Sequence, residues 1–275
     1  MHPTKTAYLT VITWPTGFDE PKRIKALVEC AAMDPYQAKL ACRRNLPGVM
    51  ATIDADVRPH ILNAMHARGI LCIVPSHEEI MAYPQAELAV GIDQFPDANP
   101  ARFVVESSLG AHWTFTAEQV KLVVSGWIKF TTSTVQTDHS ASMSMIAPVE
   151  SAMIKAISTD QYHVNRHTKV TDLLDLHIRV DGQLKLVRLI GPRTRIGIVG
   201  DNARPSLLDD TKPVELVELL MPDAQIDTEF HDFDPPGNIR RQAAKNGNRS
   251  GSLTIESWAF YSPWVGMIKQ AMYGW

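Results

Sequence analysis

The densest grouping of side chains able to move a proton or hold a metal runs from residue 163 to residue 179. His163 and His167 stand four apart, and Asp172, Asp175, His177 and Arg179 follow. On a helix, a histidine pair at that spacing offers two imidazoles to one cation. Here Arg166 and Lys169 lie beside the pair and would repel a cation, and from Val170 onward the composition is that of a strand. Neither a metal nor another cofactor is expected. Asp175, His177 and Arg179 occupy alternate positions, so on a strand they share one face. An acid, a base and a cation in a row could support proton transfer. The same alternation describes any half-solvated strand, and no nucleophile or oxyanion donor can be placed beside the three from sequence. A solvated face is the expectation, with an acid–base site on Asp175, His177 and Arg179, serving a small-molecule enzyme, as the alternative.

Other candidates carry less chemistry. Gly191, Gly197 and Gly200 lack the G-x-G-x-x-G and P-loop spacings that cradle phosphates. His60 and His66, six apart on a predicted helix, cannot act together as ligands. Cys30, Cys42 and Cys72 are odd in number and widely spaced, which fits buried thiols in a reducing compartment rather than a disulfide framework. Arg240, Arg241, Lys245 and Arg249 sit in a polar, breaker-rich segment, 234–250, that reads as an exposed loop. Without interleaved aromatics, in a chain of net charge −3, they give no reason to expect a nucleic-acid partner. The aromatic segment at Trp258, Phe260, Tyr261, Trp264, Tyr273 and Trp275 is more unusual. It is expected either as a strand (253–260) and a short helix (263–273) docked on a core, or as an exposed anchor for a partner protein, because Trp and Tyr dominate binding hot spots.

The elements that must position these residues fall into two groups. Tyr8–Trp14 reads as a strand. Asp19 with Pro21, and Asp34 with Pro35, each read as a helix start. Val49–Ile53 is a second strand, Asp56 is expected to cap a third helix, and Gly69 suits its left-handed end. Ile70–Val74 is wholly apolar and is expected at the centre of its sheet. The order is βααβαβ. Residues 84–100 contain Pro84, Pro96 and Pro100 and read as a linker. Beyond it, strands are expected at Arg102–Ser107, Thr114–Phe115 and Arg195–Val199, with Val120–Phe130 as strand or helix. The Ser/Thr-rich stretch 131–144 reads as a loop, and helices are expected from Pro148 and over Val214–Leu220. A hairpin spans 173–190. A three-residue loop, Val180-Asp181-Gly182, is expected there, because it gathers Leu174, Leu176, Ile178, Leu184 and Leu186 on one face and His177, Arg179, Gln183 and Lys185 on the other.

Ala38-Lys39, Pro47-Gly48-Val49, and the run from Val57 through Gly69 into Ile70-Leu71-Cys72-Ile73-Val74 resemble the compact fold shared by the carboxy-terminal domain of the ribosomal stalk protein and the ClpS-type protease adaptors. The resemblance covers about a quarter of the chain, within residues 7–80. It implies a non-catalytic docking module. The adaptors' Asn-Asp pair after the first strand is replaced here by Pro15-Thr16-Gly17-Phe18, so the fold is carried over and no binding residue is.

The chain of 275 residues is thus expected to be α+β, with a βααβαβ domain over 1–83, a linker over 84–100 and an antiparallel-sheet domain with packed helices over 101–275. It has no signal-peptide core near Met1 and no run approaching the ~18 apolar residues of a membrane span, so a cytoplasmic location is expected. The functional expectation is a non-enzymatic interaction or adaptor protein that binds another protein.

Overall fold

A computed structural model describes residues 5–96, 98, 100–137, 162–191, 194–198, 213–245 and 254–275. The class is α+β. The first group of elements is β1 (Thr6–Thr13), α1 (Glu20–Ala31), α2 (Pro35–Ala41), β2 (Gly48–Asp54), α3 (Arg58–His66), β3 (Leu71–Ile73) and the short α4 (His77–Met81). The helix starts follow the capping chemistry. The Asp19 carboxylate accepts from Lys22 N, and that of Asp34 accepts from Tyr36 N and Gln37 N, each with proline in the first turn. Ser76 and Glu79 form a capping box on α4. Asp56 caps nothing; Asp54 instead accepts from Asp56 N and opens a single 3-10 turn that runs into α3.

The small sheet has the order β2-β1-β3. Its centre is therefore β1, not the apolar β3. Alternate residues of β1 serve two cores: Ala7, Leu9 and Val11 pack among α1, α2 and α3, while Tyr8 and Ile12 pack on the other side. Within the apolar run Ile70, Cys72 and Val74 are buried, whereas Leu71 is 40% exposed at the sheet's edge.

The second group is β4 (Ala86–Phe95), β5 (Arg102–Ser107), β6 (His112–Thr116), β7 (Val120–Thr137), β8 (Tyr162–Val180), β9 (Gln183–Ile190), β10 (Arg195–Ile198), α5 (Pro213–Leu220), β11 (Gln225–Asp227), α6 (Gly237–Lys245) and α7 (Ile255–Tyr273). The expected linker is occupied by β4, which pairs parallel with β9 through Ala86–Leu88 and antiparallel with β5 beyond the bulge at Ala89/Gly91. The sheet order is β11-β7-β8-β9-β4-β5-β6, with β10 on β4. It is mixed rather than antiparallel throughout, since β4–β9, β10–β4 and β11–β7 are parallel pairs. The expected exposed loop at 234–250 contains α6, whose Ile239 and Ala243 are buried. Residues 131–137 continue β7; the rest of the Ser/Thr-rich stretch and the helix expected from Pro148 lie outside the described residues.

The hairpin turns at Asp181-Gly182, with φ of 51° and 78°, and pairs Val180 with Gln183. Two consecutive positive φ values make it a type I′ turn, whose twist matches that of the strands. The three-residue loop expected above is therefore corrected. That expectation assumed one wet face, and β8 has none over its middle: Leu174, Leu176 and Ile178 are buried on one side, Leu173, Asp175 and His177 on the other.

Helix α7 replaces the expected strand-then-helix and is the element the two sheets share. Thr254 caps it by accepting from Ser257 N, and Gly274 ends it at φ 70°. Pro263 lies in its interior, where a proline costs roughly 3 kcal/mol. Packing on both sides has to offset that cost. Trp258, Phe260, Tyr261, Trp264, Val265 and Ile268 form one core with Leu122, Val124, Ile128 and Leu173 of the large sheet and with Tyr8, Ile12 and Val49 of the small one. Trp264 Nε1 donates to Thr10 Oγ1 at 2.9 Å, and the Phe260 ring meets Tyr8 edge-on with centroids 5.0 Å apart.

The approach of α7 to β7 leaves no room for a side chain at Gly126. A Cβ there would lie 2.7 Å from Trp258 Cζ3 and 2.9 Å from Phe230 Cδ1. In an open strand Gly→Ala gains stability, whereas overpacking costs about 1–3 kcal/mol, and here the second effect should win. Urea unfolding of Gly126→Ala should show a lowered midpoint and an unfolding free energy smaller by that amount, with tryptophan fluorescence shifted in the folded state; an unchanged or raised midpoint would contradict this packing.

Candidate functional site

Asp175 and His177 lie on the face of β8 that receives α7, and both are fully buried. The two-residue turn brings Arg188 of β9 directly opposite Asp175. The guanidinium grips the carboxylate at both ends, Nε to Oδ1 and Nη2 to Oδ2, each 2.8 Å. Trp258 Nε1 of α7 adds a third bond to Oδ2 at 3.0 Å. Burial pulls the Arg188 pKa down, but Asp175's charge and hydrogen bonds raise it by more, so the guanidinium stays ionised. The carboxylate's acceptors are all engaged within the fold.

His177 belongs to a different set. Its Nδ1 is 2.9 Å from the Tyr83 hydroxyl and its Nε2 is 3.2 Å from Ser262 Oγ of α7. Gly266, one turn beyond Ser262, lets the helix come this close. A Cβ at Gly266 would lie 2.8 Å from His177 Cε1 and collide with the Tyr83 hydroxyl. Burial, more than the opposing pull of Asp175, lowers the imidazole pKa to about 4, with Arg188 lowering it further. Burial pushes the Tyr83 phenol well above its usual range. A neutral imidazole between two hydroxyls is a hydrogen-bonding joint between the sheet, α7 and the segment after α4.

Arg179, the third member of the sequence trio, is exposed beside the turn and shares no contact with this joint. His163 and His167 lie on β8, not on a helix, which puts their Cα atoms about 13 Å apart at strand rise. Among the described residues no group of three His, Cys, Asp or Glu side chains could hold a metal ion. Burial, and next Cys30, push the Cys72 thiol up to about 11, far from a thiolate nucleophile at neutral pH.

No family model, curated protein or solved structure matches the chain. The reading of the site therefore rests on geometry. Ser262, His177 and Tyr83 reproduce the connectivity of nucleophile, base and orienting group, yet Ser262 and His177 have no exposed surface. Of the aromatic segment, Trp258, Phe260, Tyr261 and Trp264 are covered by their own chain, which corrects the expectation of an exposed anchor at those four. Tyr273 is 54% exposed, and Trp275 is partly buried, edge-on to the His177 ring at 6.5 Å between centroids. Sequence reasoning missed Arg188, Tyr83, Ser262 and the Asp227–Tyr261 pair, in which the phenol donates to Oδ1 at 2.6 Å. For Arg188 a signal was present: counting from an Asp-Gly type I′ turn sets it opposite Asp175.

Surface clefts open elsewhere. One of about 480 Å³ runs along Leu71–Pro75 and is walled by Arg58, Leu62 and His66 of α3 and by Met267, Gln270 and Ala271 of α7. A second, of about 370 Å³, lies between β2 and the start of α6, where Arg44 and Arg240 both bind Asp234. A third, of about 260 Å³, is lined by Trp127, Asp172, Leu189, Val214 and His231.

Two expected outcomes test the buried groups. The folded chain refuses a proton at His177 down to about pH 4, whereas an unfolded histidine takes one near 6.5. Stability through this group is therefore complete above 6.5 and lost as pH falls towards 4, by about 2 kcal/mol between pH 7 and pH 5. Urea unfolding at both pH values should show that difference in the wild type, and His177→Gln should lack it whatever its starting stability. Separately, Asp175→Asn should cost about 3–5 kcal/mol by leaving Arg188 unpaired, while Asp175→Leu combined with Arg188→Met should recover most of the loss. Equal losses in the single and double variants would show that the charge pair is not the cause.

Proposed function

We propose that the protein is a non-enzymatic interaction module that binds a segment of another protein. The observation that carries this reading is a division of the molecule: its proton-transfer groups are sealed under α7, while an apolar cleft of about 480 Å³ stays open beside β3. An acid–base enzyme needs its base within hydrogen-bond reach of a substrate. His177 spends both ring nitrogens on the chain's own hydroxyls. The cleft has the character of a binding site, mostly apolar, with Arg58, Glu79, His66 and Gln270 as the polar groups on its wall and rim. The resemblance of residues 22–74 to docking modules points the same way, and the carboxy-terminal half of α7 supplies one wall. The cytoplasm is the compartment that fits three unpaired cysteines.

Selection from a phage-displayed library of random twelve-residue peptides, with the full chain as bait, tests the reading. Convergent peptides that bind the purified protein with micromolar affinity are expected. A library that yields no enriched sequence, or binders equally retained by urea-unfolded chain, would overturn it.

A further inference from the structure

We infer that β3 is an open berth in the small sheet, and that the segment bound there is an extended apolar run which joins the sheet as a fourth strand between α3 and α7. This rests on the protein-binding reading above and specifies its chemistry.

Among the described residues the sheet ends at β3, which pairs with β1 alone. Residues of α3 form one wall of the cleft and residues of α7 the other, with Leu71, Cys72, Ile73, Val74 and Pro75 along its floor. Helix residues thus line the cleft on both sides of the last strand, and within it the Arg58 guanidinium of α3 grips the Glu79 carboxylate of α4 at 2.6–2.7 Å. The floor segment Leu71–Pro75 spans about 16 Å at strand rise.

The backbone on that floor faces the right way. Tyr8 N donates to Pro75 O across the β1 side. The Cys72 carbonyl is met from the other side, by His66 Nε2 of α3 at 3.2 Å. With a period of two, Val74 presents its backbone groups to the same side as Cys72. The single imidazole on Cys72 O occupies the place that an incoming strand's N–H would take.

The cleft also chooses its occupant. A second folded copy, or any strand already inside a sheet, would bring its own covering layers and meet α3 and α7. A lone extended segment has none. Its side chains would point alternately towards Leu62 and His66 and towards Met267 and Ala271. Both directions are mainly apolar, so the segment that fits is a continuous run of four or five apolar residues, as in a strand buried on both faces, and not an alternating one. Such a run is available in a tail or an unfolded stretch of a partner. Main-chain hydrogen bonds would supply affinity and the two walls specificity.

The test uses the full chain and the peptides recovered from the library. Each is resynthesised with single backbone N-methyl groups at successive positions. Strand addition predicts at least tenfold weaker binding at alternate positions and little change between them. Amide exchange at Cys72 or Val74 should slow on binding. Ala271→Trp, at an exposed helix position, should weaken binding at least tenfold with the unfolding midpoint unchanged. Peptides that bind but tolerate N-methylation at every position, or bind Ala271→Trp as well as wild type, would overturn strand addition and leave the interaction module standing. An absence of any binding peptide would remove both. Sedimentation equilibrium gives the remaining outcome: a concentration-dependent dimer lost in Ala271→Trp would mean that the edge pairs with a second copy, against the inference.

Discussion

Helix α7 has to satisfy two sheets at once, and most of the polar side chains inside the molecule are arranged around that demand. A buried polar group without a partner costs about 1–3 kcal/mol, so each one on a helix sandwiched between sheets needs a partner from whichever layer it faces. Trp258 reaches Asp175 and Ser262 reaches His177 on the large sheet; Tyr261 reaches Asp227 at its edge; Trp264 reaches Thr10 on the small sheet. A rotation of α7 by one residue, about 100°, would break all four together. Apolar packing alone would tolerate such a slip far better, because the helix is apolar nearly all round. The glycines at 126 and 266 belong to the same constraint: each marks the place where the helix comes within a Cβ of the sheet or its side chains.

The ion pair between Asp175 and Arg188 does a related job within the sheet. A buried pair is weak evidence of net stability, since desolvation offsets much of the attraction. Its effect on register is less ambiguous. Under a hairpin one residue out of step, Asp175 would face Val187, with the buried carboxylate and the largely covered guanidinium on opposite faces. The strands here are apolar on both sides, so hydrophobic pattern does not discriminate between registers, and the charge pair does. The indole of Trp258 then reads the same carboxylate, which ties the placement of α7 to the correct hairpin.

This accounts for what could be read from the chain beforehand. The βααβαβ order, the caps at Asp19 and Asp34 and the left-handed Gly69 were open to view, because each is local chemistry within a few residues. Alternation gives the wrong hairpin register because it presumes a wet face, and the face carrying His177 is covered by a helix 85 residues further on. The segment 253–260 has the β-branched and aromatic content of a strand; only the tertiary sandwich makes it helical, and Pro263 within a helix is a further conflict between local preference and the whole. β4 was hidden by prolines at both ends of its segment. Asp175 and His177 were found as candidates by type and spacing, but their partners Tyr83, Ser262 and Trp258 lie 83 to 94 residues away and have no local signal.

The two edges of the small sheet differ in a way that bears on where a partner could enter. On β2 the Val49 carbonyl accepts from the Arg44 guanidinium, which is held in turn by Asp234, itself bound to Arg240 of α6. Opening that edge would disturb a three-member charge cluster and the seat of α6, whose Asn238 binds Tyr8 in the core. On β3 the corresponding carbonyl is met by one histidine of α3 at the rim of a cleft. An exposed strand edge is an aggregation hazard that folded proteins cover. Here one edge is covered by charges locked into the rest of the fold, and the other by a side chain that a strand's own N–H could replace. The cleft-lining residues of α3 and α7 on the two sides of that edge would meet the covering layers of any folded sheet brought up to it, so a lone extended segment can approach where a folded neighbour cannot pair.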